Sequence, residues 1–186
     1  LSRNRAGRAL CGLALALYRQ AHDSAGEIRI ITGLAWTAIN LGEIALALRH
    51  THQALTISQA QGDKLGQAQA LFGLAASWTF YNVPDKIESP AAAAKQLFEQ
   101  IGFQKWAARP HLYLGAAQYA RGNWLEALAL CEAVFAQATA WQDTWTAGWA
   151  AQLVGRIHLR CDRLDAAVEK LQHARQLRLT TGQRQN

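Results

Sequence analysis

The sequence repeats itself every 40 residues. A leucine or valine followed by a small residue recurs at this interval, as Leu34-Ala35, Leu74-Ala75, Leu114-Gly115 and Val154-Gly155. Other small residues keep the same register, among them Ala14, Ala47, Ala54, Ala94, Ala127, Ala167 and Ala174. A fixed period of this length predicts a solenoid, in which each repeat is one supersecondary unit that buries its apolar face against its neighbours.

Each repeat has the pattern of two helices. In the first complete repeat, apolar residues at helical spacing predict one helix from about Glu27 to Leu41 and a second from Glu43 to Ala60. Gly42 ends the first helix and Gly62 ends the repeat. The chain contains only three prolines and no alternating β-branched run, so the predicted fold is all-α.

The small residues also indicate how the two helices pack. Ala35, Gly42, Ala47 and Ala54 follow one another at separations of seven, five and seven residues. A small residue on each helix allows the two axes to approach closely while larger neighbours interlock around the contact. This spacing, with Leu34 before the first small residue, resembles the tetratricopeptide repeat (TPR).

The resemblance is closest in the last two repeats and implies a right-handed superhelix of antiparallel helix pairs. The period is 40 residues rather than 34, and the usual proline at the end of the second helix is missing. Longer repeats of this kind are typical of sensor arrays in MalT-type (LuxR-family) regulators, related signalling ATPases and some adenylate cyclases. The resemblance therefore implies an interaction or sensor module of a larger bacterial protein.

One domain is predicted for the whole chain. Residues 1–22 supply the second helix of a truncated repeat, and 183–186 form a tail. The four repeats between them are 23–62, 63–102, 103–142 and 143–182. The truncated first repeat and the absence of methionine indicate a fragment of a longer protein.

The second repeat departs from the pattern. Pro84 stands where the other repeats begin their second helix, and Ser89-Pro90 has the form of an N-cap followed by proline. We therefore expect a long loop over Val83–Ser89 and a short helix from Pro90 to Ile101. Such a loop is either a binding feature or a tolerated surface variation.

By resemblance, the first helix of each repeat lines the inner groove. Transferring that register predicts a groove of aromatic, polar and arginine side chains: Arg29, Trp36, Asn40, Gln69, Phe72, Phe80, Arg109, Tyr119, Trp149, Gln152, Arg156 and Arg160. Aromatic and guanidinium groups suit a peptide with apolar and acidic side chains. The predicted partner is a protein, a peptide or another domain of the same chain, and a small-molecule inducer stays open.

Tryptophan is abundant, with seven residues. Trp141, Trp145 and Trp149 are spaced by four, which places them along one stripe. The stripe either packs on the preceding helix or forms an aromatic binding surface. Trp124 replaces an apolar residue of the other repeats and is expected in the core.

The sequence carries no pattern of a catalytic or metal site. It has no phosphate-binding loop, no nucleophile elbow and no paired zinc histidines, since His50 and His52 point apart on a helix. We expect no catalysis, no metal and no cofactor. Alternative functions are a regulatory segment of a multidomain enzyme such as an adenylate cyclase, or nucleic-acid binding by the basic C-terminal repeat.

Charge and cysteine usage bear on the environment. The net charge is +6, with basic residues concentrated at both ends, which indicates either an acidic partner or a solvated helix face. The three cysteines form no C-x-x-C pair, so a reducing, cytoplasmic location is expected. Arg3, Arg5 and Arg8 before an apolar stretch resemble a signal peptide, but Ala14 fits the repeat register and favours a repeat helix.

Overall fold

The computed structural model describes residues 2–182, and within that range the side-chain environments of residues 7 and 9–180. These residues form ten α-helices and no strand. The helices are α1 (Ser2–Gln20), α2 (Ser24–Asn40), α3 (Ile44–Ala60), α4 (Lys64–Thr79), α5 (Pro84–Gln100), α6 (Gln104–Ala108), α7 (Pro110–Arg121), α8 (Trp124–Ala140), α9 (Thr144–Arg160) and α10 (Leu164–Gly182). The predicted tail 183–186 lies outside the described residues, as do the side chains of Arg3, Arg5 and Arg8.

Consecutive helices pack in antiparallel pairs. A leading helix, α1, is followed by the pairs α2/α3, α4/α5, α6–α7/α8 and α9/α10. Each pair also packs on the next one, through α3 on α4, α5 on α7 and α8 on α9. The predicted all-α solenoid of antiparallel helix pairs is therefore confirmed. In each pair, the first helix is α2, α4, α6–α7 or α9, and the second helix is α3, α5, α8 or α10.

Every turn between consecutive helices, except the α6–α7 junction at Arg109, contains one residue in the left-handed conformation. These residues are spaced by 20 and have φ between 52° and 84°: His22, Gly42, Gly62, Asn82, Gly102, Gly122, Gln142 and Asp162. Glycine adopts this conformation without the steric penalty that a Cβ brings. Four glycines were therefore visible as helix ends in the sequence, whereas the other four positions follow only from the period.

The repeated small residues form the contact between paired helices. In the four second helices, the residues at one such position, Ala47, Ile87, Ala127 and Ala167, are at most 1% exposed, and alanine occupies it in all but the second repeat. The first helices also lie close to their partners at this contact. A Cβ added to Gly155 of α9, for example, would lie 2.7 Å from Cγ of Leu171 of α10. Close approach at these positions explains why the small-residue register persists through the chain.

The second repeat does not contain the predicted loop. Pro84 is the first residue of α5, after Val83 as N-cap, and the helix continues through Ser89 and Pro90 to Gln100. Proline is tolerated at the first helical position because the amide there has no intrahelical acceptor. The expected loop over Val83–Ser89 is wrong for this reason. The expected helix start at Pro90 is also wrong, because Pro90 lies inside α5.

The third repeat has an interruption that the sequence analysis missed. Its first helix is divided into α6 and α7 at Arg109. Pro110 has no amide hydrogen to continue the ladder, and the carbonyl of Trp106 instead accepts from the amide of Arg109 at 3.2 Å. Trp124, expected in the core, is 40% exposed at the start of α8.

Two glycine substitutions test the helix contact. Gly155→Ala should destabilise the fold by about 1–3 kcal/mol, because the new methyl group meets Leu171 and overpacks the α9/α10 contact. Gly33→Ala is the matched control, since a Cβ there meets nothing within 4 Å and alanine favours helix by about 0.5–1 kcal/mol. Urea unfolding followed by circular dichroism measures both, and equal stabilisation by the two substitutions would contradict the packing account.

Candidate binding cavity

The first helices of all four pairs line one cavity, which we call the inner cavity. It is open to solvent, and about 80 Å³ of it is accessible to a water-sized molecule. No described residue of a second helix lines it. The lining residues are Trp36, Ile39, Ala76, Thr79, Phe80, Leu112, Tyr113, Ala116, Trp149, Gln152, Leu153 and Arg156.

One repeat position shapes the inner cavity. The residues at this position, each 40 residues from the next, are Trp36, Ala76, Ala116 and Arg156, and all four line the cavity. The outer two side chains are large and the middle two are single methyl groups. The surface of the first helices is therefore recessed at α4 and α7. Trp36 borders this recess on one side and Arg156 on the other; these two borders are the tryptophan wall and the arginine wall.

Aromatic rings support the cavity from below. Phe72 is 2% exposed, and its ring centroid lies 5.3 Å from that of Trp36 and 5.1 Å from that of Tyr113. Phe72 thus does not offer the groove surface that the repeat register predicts; it holds two lining rings in place. Burial raises the pKa of Tyr113 more than the positive charge of Arg109 lowers it, so the phenol is neutral at physiological pH.

Tryptophans join the first pair to the fourth. The ring of Trp145 meets Trp36 edge-on with centroids 5.8 Å apart, and it lies 6.1 Å from Trp149. Contacts of this geometry contribute about 0.5–1.5 kcal/mol beyond burial. Two tryptophans of the predicted stripe thus lie with Trp36 beside the cavity, whereas Trp141 is the C-cap of α8.

Arginines border the cavity at α9. The guanidinium of Arg156 lies 5.0 Å above the ring of Tyr119, and Nε of Arg160 donates to the Tyr119 hydroxyl at 3.4 Å. Both arginines are exposed, and neither forms an ion pair with an acidic side chain among the described residues. Two cationic groups thus contact one tyrosine and remain open to an anion.

The first helices carry almost no negative charge. Glu27 in α2 is their one acidic residue, and Nε of Arg19 donates to it at 2.8 Å. The acidic residues of the other described helices lie on second helices. The inner cavity is therefore apolar with a positive border.

Arg109 differs from Arg156 and Arg160 because its guanidinium group is already paired with an acidic side chain. Its Nη2 lies 3.0 Å from Oδ2 of Asp143, and its guanidinium stacks 4.2 Å above the ring of Trp106. Burial alone would raise the pKa of Asp143. Hydrogen bonds from Thr146 and the positive charge of Arg109 outweigh burial, so the pKa of Asp143 is lowered. The same carboxylate caps α9, so Arg109 stabilises the helix start.

The predicted groove residues therefore divide into groups. Five line the inner cavity: Trp36, Phe80, Trp149, Gln152 and Arg156. Tyr119 and Arg160 adjoin Arg156, Arg109 is held by Asp143, and Phe72 is buried. Arg29 and Asn40 are exposed and Gln69 is half-buried, but none of these three lines the cavity.

The transferred register also predicts Ala76, Leu112 and Ala116 in the groove, and all three line the cavity. Sequence reasoning missed the other four lining residues: Ile39, Thr79, Tyr113 and Leu153. Each lies three residues from a residue at the repeat position that shapes the cavity. Ile39 is three residues from Trp36, and Tyr113 is three residues from Ala116. Residues three apart share a helix face. Extending the register by one turn in each direction would have identified them.

The described residues show no cluster suited to metal binding. No three His, Cys, Asp or Glu side chains come together there. Cys131 is fully buried, and burial, with a smaller effect of Glu132, raises the pKa of its thiol to about 12. The thiol is therefore protonated and is not a nucleophile at neutral pH. Among the described helices, none is long and apolar enough to cross a membrane.

Comparison with known proteins gives the fold a precedent. The structure is similar to the crystal structure of BtubC (BKLC) from P. vanneervenii, with a TM-score of 0.71 and 17% sequence identity over 97% of this chain and 75% of that one. The two chains share a TPR-like fold. No family model matches the sequence, and no curated protein sequence matches it significantly.

Filling the hollow provides a direct test of the inner cavity. Ala116→Trp places at α7 the residue that the register already accommodates at Trp36, so the fold should persist. The dye 8-anilinonaphthalene-1-sulfonate, which is aromatic and anionic, should bind the wild-type chain and lose affinity at least tenfold in this variant, as fluorescence titration would show.

Ala133→Trp is the matched control, because Ala133 is exposed on α8 away from the cavity. Dye binding should be unchanged in this variant. Equal loss in both variants, or no loss in Ala116→Trp, would contradict the assignment of the dye to the inner cavity.

Proposed function

We propose that this chain is a non-catalytic interaction module that binds an extended segment of a partner protein, or of another domain of the same protein, in the inner cavity. The observation that carries this proposal is the apolar hollow between Trp36 and Arg156, bordered by arginines without acidic partners. The bound segment places a large apolar side chain over Ala76 and Ala116 and a carboxylate beside Arg156.

The expected energetics are those of a moderate-affinity peptide site. Burial of one large apolar side chain contributes about 1.5–3 kcal/mol. A charge-assisted hydrogen bond to arginine contributes about 1.5–3 kcal/mol more. The rigid tryptophans and the stacked Arg156 are already ordered by their neighbours, which lowers the entropy cost of binding.

The basic C-terminal repeat supports nucleic-acid binding less well. Lys170 lies 4.6 Å above the Phe135 ring, and Arg178 lies 4.5 Å above the Trp149 ring. Asp165 and Glu169 stand among the basic residues of α10. The cations are thus engaged or interleaved with carboxylates, whereas a nucleic-acid site needs a continuous positive surface.

The wider role that we propose is sensing within a larger bacterial signalling or transcription-regulatory protein. The 40-residue period, which is longer than that of ordinary TPR units, supports this role by its resemblance to regulator sensor arrays. A full-length sequence with a nucleotide-binding domain before the array and a helix-turn-helix after it would support this context. A catalytic cyclase domain in their place would contradict it.

Selection from a random peptide library tests the binding function. We expect selected peptides to pair a bulky apolar residue with an acidic one. Replacing both Tyr119 and Arg156 by alanine should weaken their binding at least tenfold, or about 1.4 kcal/mol. Isothermal calorimetry measures the affinity, and circular dichroism checks that the helices persist.

Arg163→Ala is the charge-matched control, because Arg163 is exposed in the α9–α10 turn. Its affinity for the selected peptides should equal that of the wild type. Peptides that tolerate the Tyr119/Arg156 replacement, or a preference for DNA with a steep salt dependence, would contradict the proposal. Small molecules that displace the dye while no peptide does would assign the cavity to an inducer.

A further inference from the structure

Arg178 of α10 reaches across to α9 and contacts two residues of the inner cavity. Its guanidinium lies 4.5 Å above the ring of Trp149, and its Nη1 donates a hydrogen bond to Oε1 of Gln152. The side chain passes close to Gly148, where an added Cβ would lie 3.2 Å from Cγ of Arg178. Trp149 and Gln152 line the cavity, whereas Arg178 does not. A second helix therefore acts on the cavity wall from behind.

The contact with Arg178 sets the orientation of the Gln152 amide group. A guanidinium only donates hydrogen bonds, so the atom of Gln152 that meets it must be the carbonyl oxygen. Gln152 lines both the inner cavity and a groove on the α10 side, and Arg178 lines that groove. The amide nitrogen occupies the other branch of the same planar group. The hydrogen bonds of the described residues include no acceptor for this nitrogen.

Gln152 and Arg156 are neighbours on α9. They are four residues apart, so they share one face of the helix, and both line the inner cavity. Arg156 offers only hydrogen-bond donors, and the amide nitrogen of Gln152 is a donor as well. An occupant that meets both groups must supply acceptor atoms, and an anionic oxygen group supplies them without placing a donor against a donor.

We propose that Arg178 is a positioning residue that determines the specificity of the inner cavity. By holding the carbonyl oxygen of Gln152, it presents the amide nitrogen to the cavity beside Arg156, so that the cavity prefers an anionic occupant over a neutral one of the same shape. Without Arg178, the amide is free to rotate and to present its carbonyl oxygen, which repels an anion. This inference rests on the proposed binding function of the cavity.

Two dyes of nearly equal shape provide the probes: 8-anilinonaphthalene-1-sulfonate and the neutral N-phenyl-1-naphthylamine, which lacks the sulfonate. The ratio of their dissociation constants, from fluorescence titration, measures the preference for the anion. Arg178→Leu should lower this preference at least fivefold, or about 1 kcal/mol. In a chain that already carries Gln152→Met, the same substitution should change the preference less than twofold, because Arg178 acts through Gln152.

Arg175→Leu is the charge-matched control, since Arg175 is exposed and lines the same groove of α10. It should change the preference less than twofold. Circular dichroism should show intact helices in every variant, because Arg175 and Arg178 are exposed and Gln152 is only half-buried.

Two results would overturn the inference and leave the proposed function standing. One is an equal effect of Arg178→Leu and Arg175→Leu, which would reduce the role of Arg178 to its charge. The other is an undiminished effect of Arg178→Leu in the Gln152→Met chain, which would show that Arg178 does not act through Gln152. A wild-type chain that binds neither dye would contradict the binding function itself and overturn the inference with it.

Discussion

The close approach of two helices at small residues is the constraint on which the rest of the structure depends. Where Gly155 meets Leu171, or Gly115 meets Cys131, there is no room for a further methyl group. This contact recurs along the chain, and the left-handed turn residues between the helices fall 20 residues apart. The 40-residue period of the sequence reflects the repetition of this contact along the chain.

A fixed backbone register leaves the inner surface free to vary. Residues that face the interior of the array do not take part in the pairing contact, so alanine or tryptophan at the same register position leaves the fold intact. The inner cavity arises from this freedom, because Ala76 and Ala116 stand between Trp36 and Arg156. Binding chemistry and folding chemistry thus occupy different faces of the same first helices.

The sequence predicted those features that the period determines. The helix pairs, the small-residue contacts and the inner position of Trp36, Trp149 and Arg156 all follow from a register that can be counted. Features set by one local residue were harder to predict. Pro84 suggests a helix breaker, yet proline is tolerated at the first helical position. Pro110 divides a helix, although Arg109 before it keeps right-handed helical dihedral angles.

The burial of individual side chains was the other feature that the sequence did not predict. Phe72 and Gln152 share a register position, but Phe72 is buried under Trp36 and Tyr113 whereas Gln152 lines the cavity. Which of them reaches solvent depends on the size of neighbours from other repeats, and a period cannot supply that information. The ion pair of Arg109 with Asp143, 34 residues away, is hidden for the same reason.

The central claim is that a ligand lies over the alanine floor between the tryptophan and arginine walls. Seven tryptophan indoles report on it, since each gives a separate amide-type signal in a ¹H–¹⁵N correlation spectrum. Titration with the anionic dye or a selected peptide should shift the signals of Trp36 and Trp149 and leave Trp78 and Trp124 unchanged. Shifts at Trp78 or Trp124, with Trp36 and Trp149 unaffected, would contradict the account.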